Sequence, residues 1–252
     1  MLLLSRAEVA RLMDFADYVE AVEAGFLAAA TGKALAPPAA AFHVPGGSYH
    51  AKAAALLAGD PPVMAIKLNG NYPGNPAANG LPTVQGVIYL ADATNGRPLA
   101  LMDSIEITIN RTGTATTLAA RHLARRDSRV ATICGAGVQG RIQARAITAA
   151  AKLDTIHVWD IRPDAAEKLA GDLTGELKID VRPSADLGGL LPGIDHREAR
   201  GIELGVDLAL VGIVGADGGD ERAGADMGRC QECLARRRAG DDDVAVAHHV
   251  QT

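Results

Sequence analysis

One hexapeptide constrains this chain more than any other stretch: Gly135-Ala136-Gly137-Val138-Gln139-Gly140. Its G-x-G-x-x-G spacing gains meaning from its surroundings. An apolar strand over 128–134 precedes it and an Ala-rich helix over 141–153 follows. A second strand over 155–160 then closes on Asp160, about 20 residues beyond the glycines. Gly135 permits the tight turn, Gly137 leaves room for an approaching pyrophosphate, and Gly140 lets the helix pack close to the strand. The helix N-terminus offers unpaired N–H groups and a positive dipole end to phosphates. Asp160 can accept both hydroxyls of a ribose and would repel a 2′-phosphate. NAD is therefore expected over NADP, with Arg162 pulling the other way. A further helix over 163–173 continues the alternation of strand and helix, which argues for a parallel sheet.

The first hundred residues have a different pattern. After a short strand, Ser5 caps a first helical turn that contains Glu8. A helix over 15–30 places Val19, Val22, Phe26 and Leu27 on one face. Pro and Gly punctuate residues 37–47. Strands are expected over 49–57, 63–68 and 83–92, with a return strand over 99–102. The turn Thr94-Asn95-Gly96-Arg97 reads as a tight hairpin, because Asn-Gly tolerates positive φ at both central positions. A long helix over 104–126 follows, with Ile105, Thr108, Ile109, Thr112, Ala119 and Leu123 at helical spacing. The expected fold class is α/β: an N-terminal α+β domain for substrate binding and dimerisation over 1–125, then a Rossmann-type parallel sheet domain over 126–217. Residues 218–252, rich in Gly, Asp and Arg, form an irregular tail that reads as truncated or frameshifted.

The 252 residues carry a net charge of −5 and only eight aromatic side chains. That excludes a nucleic-acid footprint and requires a core of Ala, Val, Leu and Ile. No apolar run reaches the ~20 residues of a membrane span, and Met1-Leu2-Leu3-Leu4 is too short for a signal peptide. Three cysteines build no disulfide framework, so a cytoplasmic setting is expected. Cys230-Gln231-Glu232-Cys233 lacks the second pair a zinc site needs, so no metal is expected.

Three cations stand out in the first domain. Lys67 closes the apolar run Val63-Met64-Ala65-Ile66, where an ammonium is costly without a partner or a task. It can polarise a carbonyl or imine, or act as an acid or base; the bland alternative is a strand-end lysine reaching solvent. Lys52 has a similar apolar setting. Arg111, flanked by Thr108 and Thr112, has the fork geometry to bind a carboxylate or phosphate.

Five blocks in fixed order resemble the ornithine cyclodeaminase/mu-crystallin family: Lys67-Leu68-Asn69-Gly70-Asn71, Gly80-Leu81-Pro82-Thr83, Leu99-Ala100-Leu101-Met102-Asp103, Ile107-Thr108 with Arg111-Thr112, and the glycine fingerprint. The resemblance implies hydride movement at the α-carbon of a small amino acid or its keto acid or imine, with NAD(H). It implies a catalytic role for Lys67, carboxylate binding by Lys52 and Arg111, and a place for Thr83 on the nicotinamide side. Val214-Gly215-Ala216-Asp217 is similar to the segment that carries the family's catalytic aspartate. Asp217 is then the second catalytic residue, with Val214 and Gly215 in the cofactor-binding set beside Gly135, Gly137, Val138, Gln139, Gly140 and Asp160. Ornithine cyclodeaminase-like and alanine dehydrogenase- or ketimine reductase-like chemistry use the same residues and stay open here. The resemblance implies a homodimer. Two departures go with it. An arginine many members carry ahead of Lys52 has no counterpart in 38–41, and Leu190-Leu191-Pro192-Gly193-Ile194-Asp195-His196 replaces a Thr-rich turn. They leave the alternative of a catalytically impaired member that binds NAD(P)H or a small ligand.

Overall fold

The computed structural model describes residues 1–124, 126, 128–190 and 211–213. They divide into two compact units, Met1–Ala115 and one that begins at Thr116.

The first unit is built on a seven-stranded sheet. Its elements are β1 (Leu2–Leu4), α1 (Arg6–Val9), α2 (Phe15–Ala30), β2 (Ala34–Leu35), β3 (Ala40–Val44), β4 (Gly47–Leu56), β5 (Val63–Asn71), α3 (Asn75–Asn79), β6 (Val84–Asp92) and β7 (Pro98–Asp103), followed by α4 (Ile105–Leu123), which runs across the division between the units. The strand order is β1-β7-β6-β5-β4-β2, with β3 also paired to β4. Every pairing is antiparallel except that of β1 with β7. The Glu8 carboxylate closes the first turn of α1, accepting from Ser5 N at 2.8 Å and Ser5 Oγ at 2.6 Å.

Strand alternation sorts the sheet into two chemically different faces. Ala51, Leu68 and Val87 are cross-strand neighbours, as are Ala53, Ile66, Tyr89 and Leu101. On this face Ile66, Leu68 and Val87 are 39%, 41% and 41% exposed, so an apolar surface stays open. The other phase carries buried Ile88, together with Lys52, Lys67 and Asn69.

Two expectations for this unit need correction. Phe26 and Leu27 of α2 are exposed, and the buried positions are Tyr18, Val19 and Ala28. The helix packs through a narrower stripe than the apolar periodicity suggests. The 94–97 turn is also not a two-residue hairpin. Only Gly96 has positive φ, +75°, and five residues separate β6 from β7. The Asp92 carboxylate organises them, accepting from Thr94 N at 2.9 Å, Thr94 Oγ1 at 2.6 Å and Asn95 Nδ2 at 3.0 Å. An Asp that caps its own following turn supplies a local alternative to the tight hairpin.

The second unit holds β8 (Val130–Cys134), α5 (Val138–Ala150), β9 (Thr155–Trp159), α6 (Pro163–Leu177), β10 (Asp180–Ser184), α7 (Leu187–Leu190) and β11 (Val211–Ile213). Its four strands among the described residues are all parallel, in the order β10-β9-β8-β11. The chain moves outward from β8 to β10 and then returns to pair β11 on the far side of β8. The strand order therefore reverses at the carboxyl end of β8, the place where open parallel sheets bind ligands. The core packs Ile133, Ile147, Ile156, Val158, Leu169 and Leu173 between sheet and helices. Helix α5 starts at Val138, three residues earlier than its Ala-rich pattern suggests, because the fingerprint supplies its first turn. Leu123 at the end of α4 is 61% exposed rather than part of a buried face. Among the described residues no helix is long and apolar enough to cross a membrane.

Candidate functional site

Lys52 on β4 and Lys67 on β5 are direct cross-strand partners. Like charges in that position repel. Both ammonium groups also feel Arg111 of α4, and all three cations are held below their ordinary pKa values. Lys67 falls furthest, to about 8, through burial first, then Arg111, then Lys52. Lys52 is lowered by burial and by Arg111, and Arg111 by burial alone. Neither Lys52 nor Arg111 forms an ion pair with any described residue. Two lysines on one sheet face and Arg111 of α4, all half-buried, form a site that an anion would relieve, and a carboxylate has the size and geometry for a lysine–arginine pair. A lysine near pH 8 exchanges its proton close to neutrality.

Among the described residues Lys67 has one hydrogen bond, donated by Nζ to Thr108 Oγ1 at 3.3 Å. The same oxygen accepts from Asn69 Nδ2 at 3.5 Å, and the Asn69 Oδ1 accepts from Ser104 Oγ at 2.7 Å. Sequence reasoning passed over Asn69 and Ser104. The available signal was periodicity: Asn69 lies two residues beyond Lys67 on an otherwise apolar strand, hence on the same face. Thr83 precedes β6 in this unit, its carbonyl accepting from Tyr72 N at 2.7 Å.

In the second unit the fingerprint adopts the conformation its glycines allow. Gly135 has φ +101°, which an L side chain rarely adopts. A Cβ on Gly140 would collide with the Gly135 carbonyl oxygen, so α5 approaches β8 only through glycine. Gly137 is the N-cap of α5 and has no side chain to bond the first-turn amides, which leaves them for an external acceptor. Val138 is exposed at the start of that turn, and the Gln139 Oε1 is buried without a hydrogen-bond partner among the described residues. Asp160 follows β9 with its side chain 11% exposed. Its carboxylate accepts from Ala136 N at 2.7 Å and from Arg162 N at 2.8 Å. The acid is thus fixed beside the glycine turn by the turn's own amide. Arg162 lies farther off, Nε at 3.8 Å, and its side chain is 67% exposed. Arg141, the nearest cation after the fingerprint, is committed to Glu176 at 2.9 Å and to Asp172. These features fit a dinucleotide: a pyrophosphate cradle free of side chains, unpaired amides and a placed acid.

Val214, Gly215, Asp217 and the Cys230–Cys233 pair lie outside the described residues. Strand β11 ends at Ile213, paired with Cys134. No group of metal-binding side chains occurs among the described residues.

Residues 1–191 match the family model described as the ornithine cyclodeaminase/mu-crystallin family. Alanine dehydrogenase of Archaeoglobus fulgidus is 35% identical over 167 residues, 66% of this chain and 50% of that protein. Among solved structures, Thermococcus litoralis Δ1-pyrroline-2-carboxylate reductase in complex with NADH and L-proline superposes with a TM-score of 0.71. It is 36% identical, and the match covers 76% of this chain and 59% of that one. An archaeal alanine dehydrogenase dimer with bound NAD gives a TM-score of 0.68 at 32% identity, covering 73% and 56%. The chain spans about half the length of the curated relatives it matches most extensively.

Proposed function

The chain belongs to the ornithine cyclodeaminase/mu-crystallin family, and from that membership we propose that it is an NAD(H)-dependent enzyme acting on the α-carbon of a small amino acid, or of the matching keto acid or imine. The observation that carries this reading is the pairing of Lys52 and Lys67 on one sheet face, with Arg111 of α4 bearing on both and no ion-pair partner for Lys52 or Arg111 among the described residues. Lys52 and Arg111 hold the substrate carboxylate, which fixes the α-carbon relative to Lys67. The Lys67 amine, at about 8, gives a proton to the α-nitrogen or oxygen or takes one from it. Asp217 is proposed as the second acid or base, Thr83 as a contact on the nicotinamide side, and Val214 and Gly215 as cofactor contacts. Gly135, Gly137, Val138, Gln139 and Gly140 would hold the pyrophosphate, and Asp160 the adenosine ribose. When bound, NAD supplies a two-electron hydride acceptor and donor. The residues that bind substrate lie within 1–125, and those that bind the dinucleotide within 126–217 except Thr83.

Relatives of this chain carry the names alanine dehydrogenase, Δ1-pyrroline-2-carboxylate reductase and ornithine cyclodeaminase. The described side chains serve both net reduction and cyclising deamination. A homodimer in the cytoplasm completes the proposal. The open apolar face around Ile66, Leu68 and Val87 supports self-association.

An absorbance assay at the NADH band tests the reading. One arm contains NADH, ammonia and a panel of α-keto acids or cyclic imines. The other contains ornithine with catalytic NAD and an ammonia readout. Net NADH loss identifies a reductase, and ammonia release without net NADH change a cyclodeaminase. NADH binding with silence in both arms would reject the enzyme reading in favour of a ligand-binding protein.

A further inference from the structure

We propose that Asn69 is a positioning residue for Lys67: clamped by Ser104, its amide holds the Thr108 hydroxyl as the acceptor that aims the Lys67 ammonium. This rests on the reading of Lys67 as the reacting amine. Asn69 is 7% exposed and Ser104 is fully buried. A buried amide needs its donors and acceptor matched. The Asn69 Oδ1 accepts from Ser104 Oγ at 2.7 Å. With that oxygen held, Nδ2 faces Thr108 Oγ1, which also receives Lys67 Nζ. Both lone pairs of that hydroxyl are then engaged.

The arrangement follows from two repeats that match. Lys67 and Asn69 are two residues apart on β5, roughly 6.8 Å along the strand. Ser104 immediately precedes α4 and Thr108 lies one turn on, roughly 6 Å along the axis, and Thr108 N donates to Ser104 O at 2.8 Å. Strand and helix therefore meet as two rungs, Lys67 with Thr108 and Asn69 with Ser104. Strand β6 admits the second rung only because residue 86 is glycine: a Cβ there would strike the Asn69 Oδ1 and the Leu68 carbonyl oxygen. Gly86 O also accepts from Ser104 N at 3.1 Å.

The contacts to Thr108 are long, at 3.3 and 3.5 Å, so their contribution is direction rather than strength. Direction is what Lys67 otherwise lacks. The charged groups that bear on it, Lys52 from β4 and Arg111 from α4, repel it, and His50, the cross-strand partner of Asn69, brings no anion. Without the Thr108 acceptor the ammonium would turn toward water.

The test combines turnover with a direct titration of Lys67, read by 13C NMR after reductive methylation and assigned with Lys67→Arg. Asn69→Leu keeps the side-chain volume and removes the amide. It is expected to lower kcat about ten- to a hundredfold, leave KM within about twofold, and move the Lys67 midpoint further down. Asn69→Asp still accepts from Ser104 but places a negative charge beside Lys67. The midpoint and the pH–rate profile should both rise by about one unit. Ser104→Ala should reproduce a weaker form of the Asn69→Leu effect, and it decides the matter together with Asn69→Asp if Asn69→Leu does not fold. A wild-type Lys67 midpoint and wild-type kcat in these variants would overturn the positioning role and leave the enzyme reading intact. A Lys67 midpoint that moves down in Asn69→Leu and Ser104→Ala, in a protein without turnover, would support positioning and reject the enzyme reading.

Discussion

Replacing Lys67 by Met is expected to make the protein more stable while removing its activity. Burial and the facing cations hold the amine at about 8 against an ordinary 10.5. In the unfolded chain it titrates near the ordinary value, so between about pH 8 and 10.5 the unfolded state binds the extra proton. The charged amine therefore destabilises the fold fully below about pH 8, and the penalty is relieved as pH rises through that window. A gap of about 2.5 pH units at 1.36 kcal/mol per unit would be ~3.4 kcal/mol for a fully shielded group. Lys67 is half-buried and water screens it, which leaves about half, ~1.5–2 kcal/mol. Methionine keeps the aliphatic stem, and Thr108 retains its bond from Asn69. Urea denaturation of both proteins between pH 7 and 10 measures the difference. The variant should have the higher midpoint at pH 7, and the gap should narrow by pH 10. Turnover should fall about 10²–10³-fold, the effect of losing one preorganised charged donor, with NADH affinity unchanged. A variant less stable than wild type at pH 7, or a gap indifferent to pH, would refute the account of Lys67 as a strained cation.

Three further outcomes are expected. Arg111→Met should raise KM for a carboxylate substrate about ten- to a hundredfold, from the loss of ~1.5–3 kcal/mol of charge-assisted bonding. It should also raise the Lys67 midpoint, since Arg111 is the larger of its two charged neighbours; initial rates against pH report both. Wild type should bind NADH more tightly than NADPH in a fluorescence titration, because a carboxylate repels a 2′-phosphate, and Asp160→Ser should narrow the gap; equal wild-type affinities would assign control to Arg162. Light scattering should give twice the 26.0 kDa chain mass, and Leu68→Glu with Val87→Glu should halve it by charging the open sheet face.

The second unit was the more legible from sequence, because its signals are local. The apolar run of β8, the glycine spacing and Asp160 sit within thirty residues, and each needs only its neighbours to be read. Even there the Ala136 N–H to Asp160 bond was invisible, since it depends on how two strand ends meet. In the first unit Lys67 showed itself by being a charge in an apolar run. The pairing of Lys52 with Lys67 required the strand register, which no single strand contains. Asn69 and Ser104 are 35 residues apart and share no motif, and only the packing of β5 on α4 makes them partners. The misread turn at 94–97 has the same origin. Asn-Gly is a strong local signal, but the Asp92 carboxylate ahead of it offered three hydrogen bonds and won.

Strand β1 sets a timetable for synthesis. Leu2, Leu3 and Leu4 pair with Ala100, Leu101 and Met102, so these residues acquire their partners only after about a hundred more have been added. At ~5–20 residues per second that is a wait of roughly 5–20 s. For that interval three leucines leave the ribosome with no strand to join, while the β4–β5 and β5–β6 hairpins, whose halves are neighbours in sequence, can already close. The edge of the sheet nearest the N-terminus is therefore sealed last, and a nascent chain halted before Pro98 would carry its leucines bare.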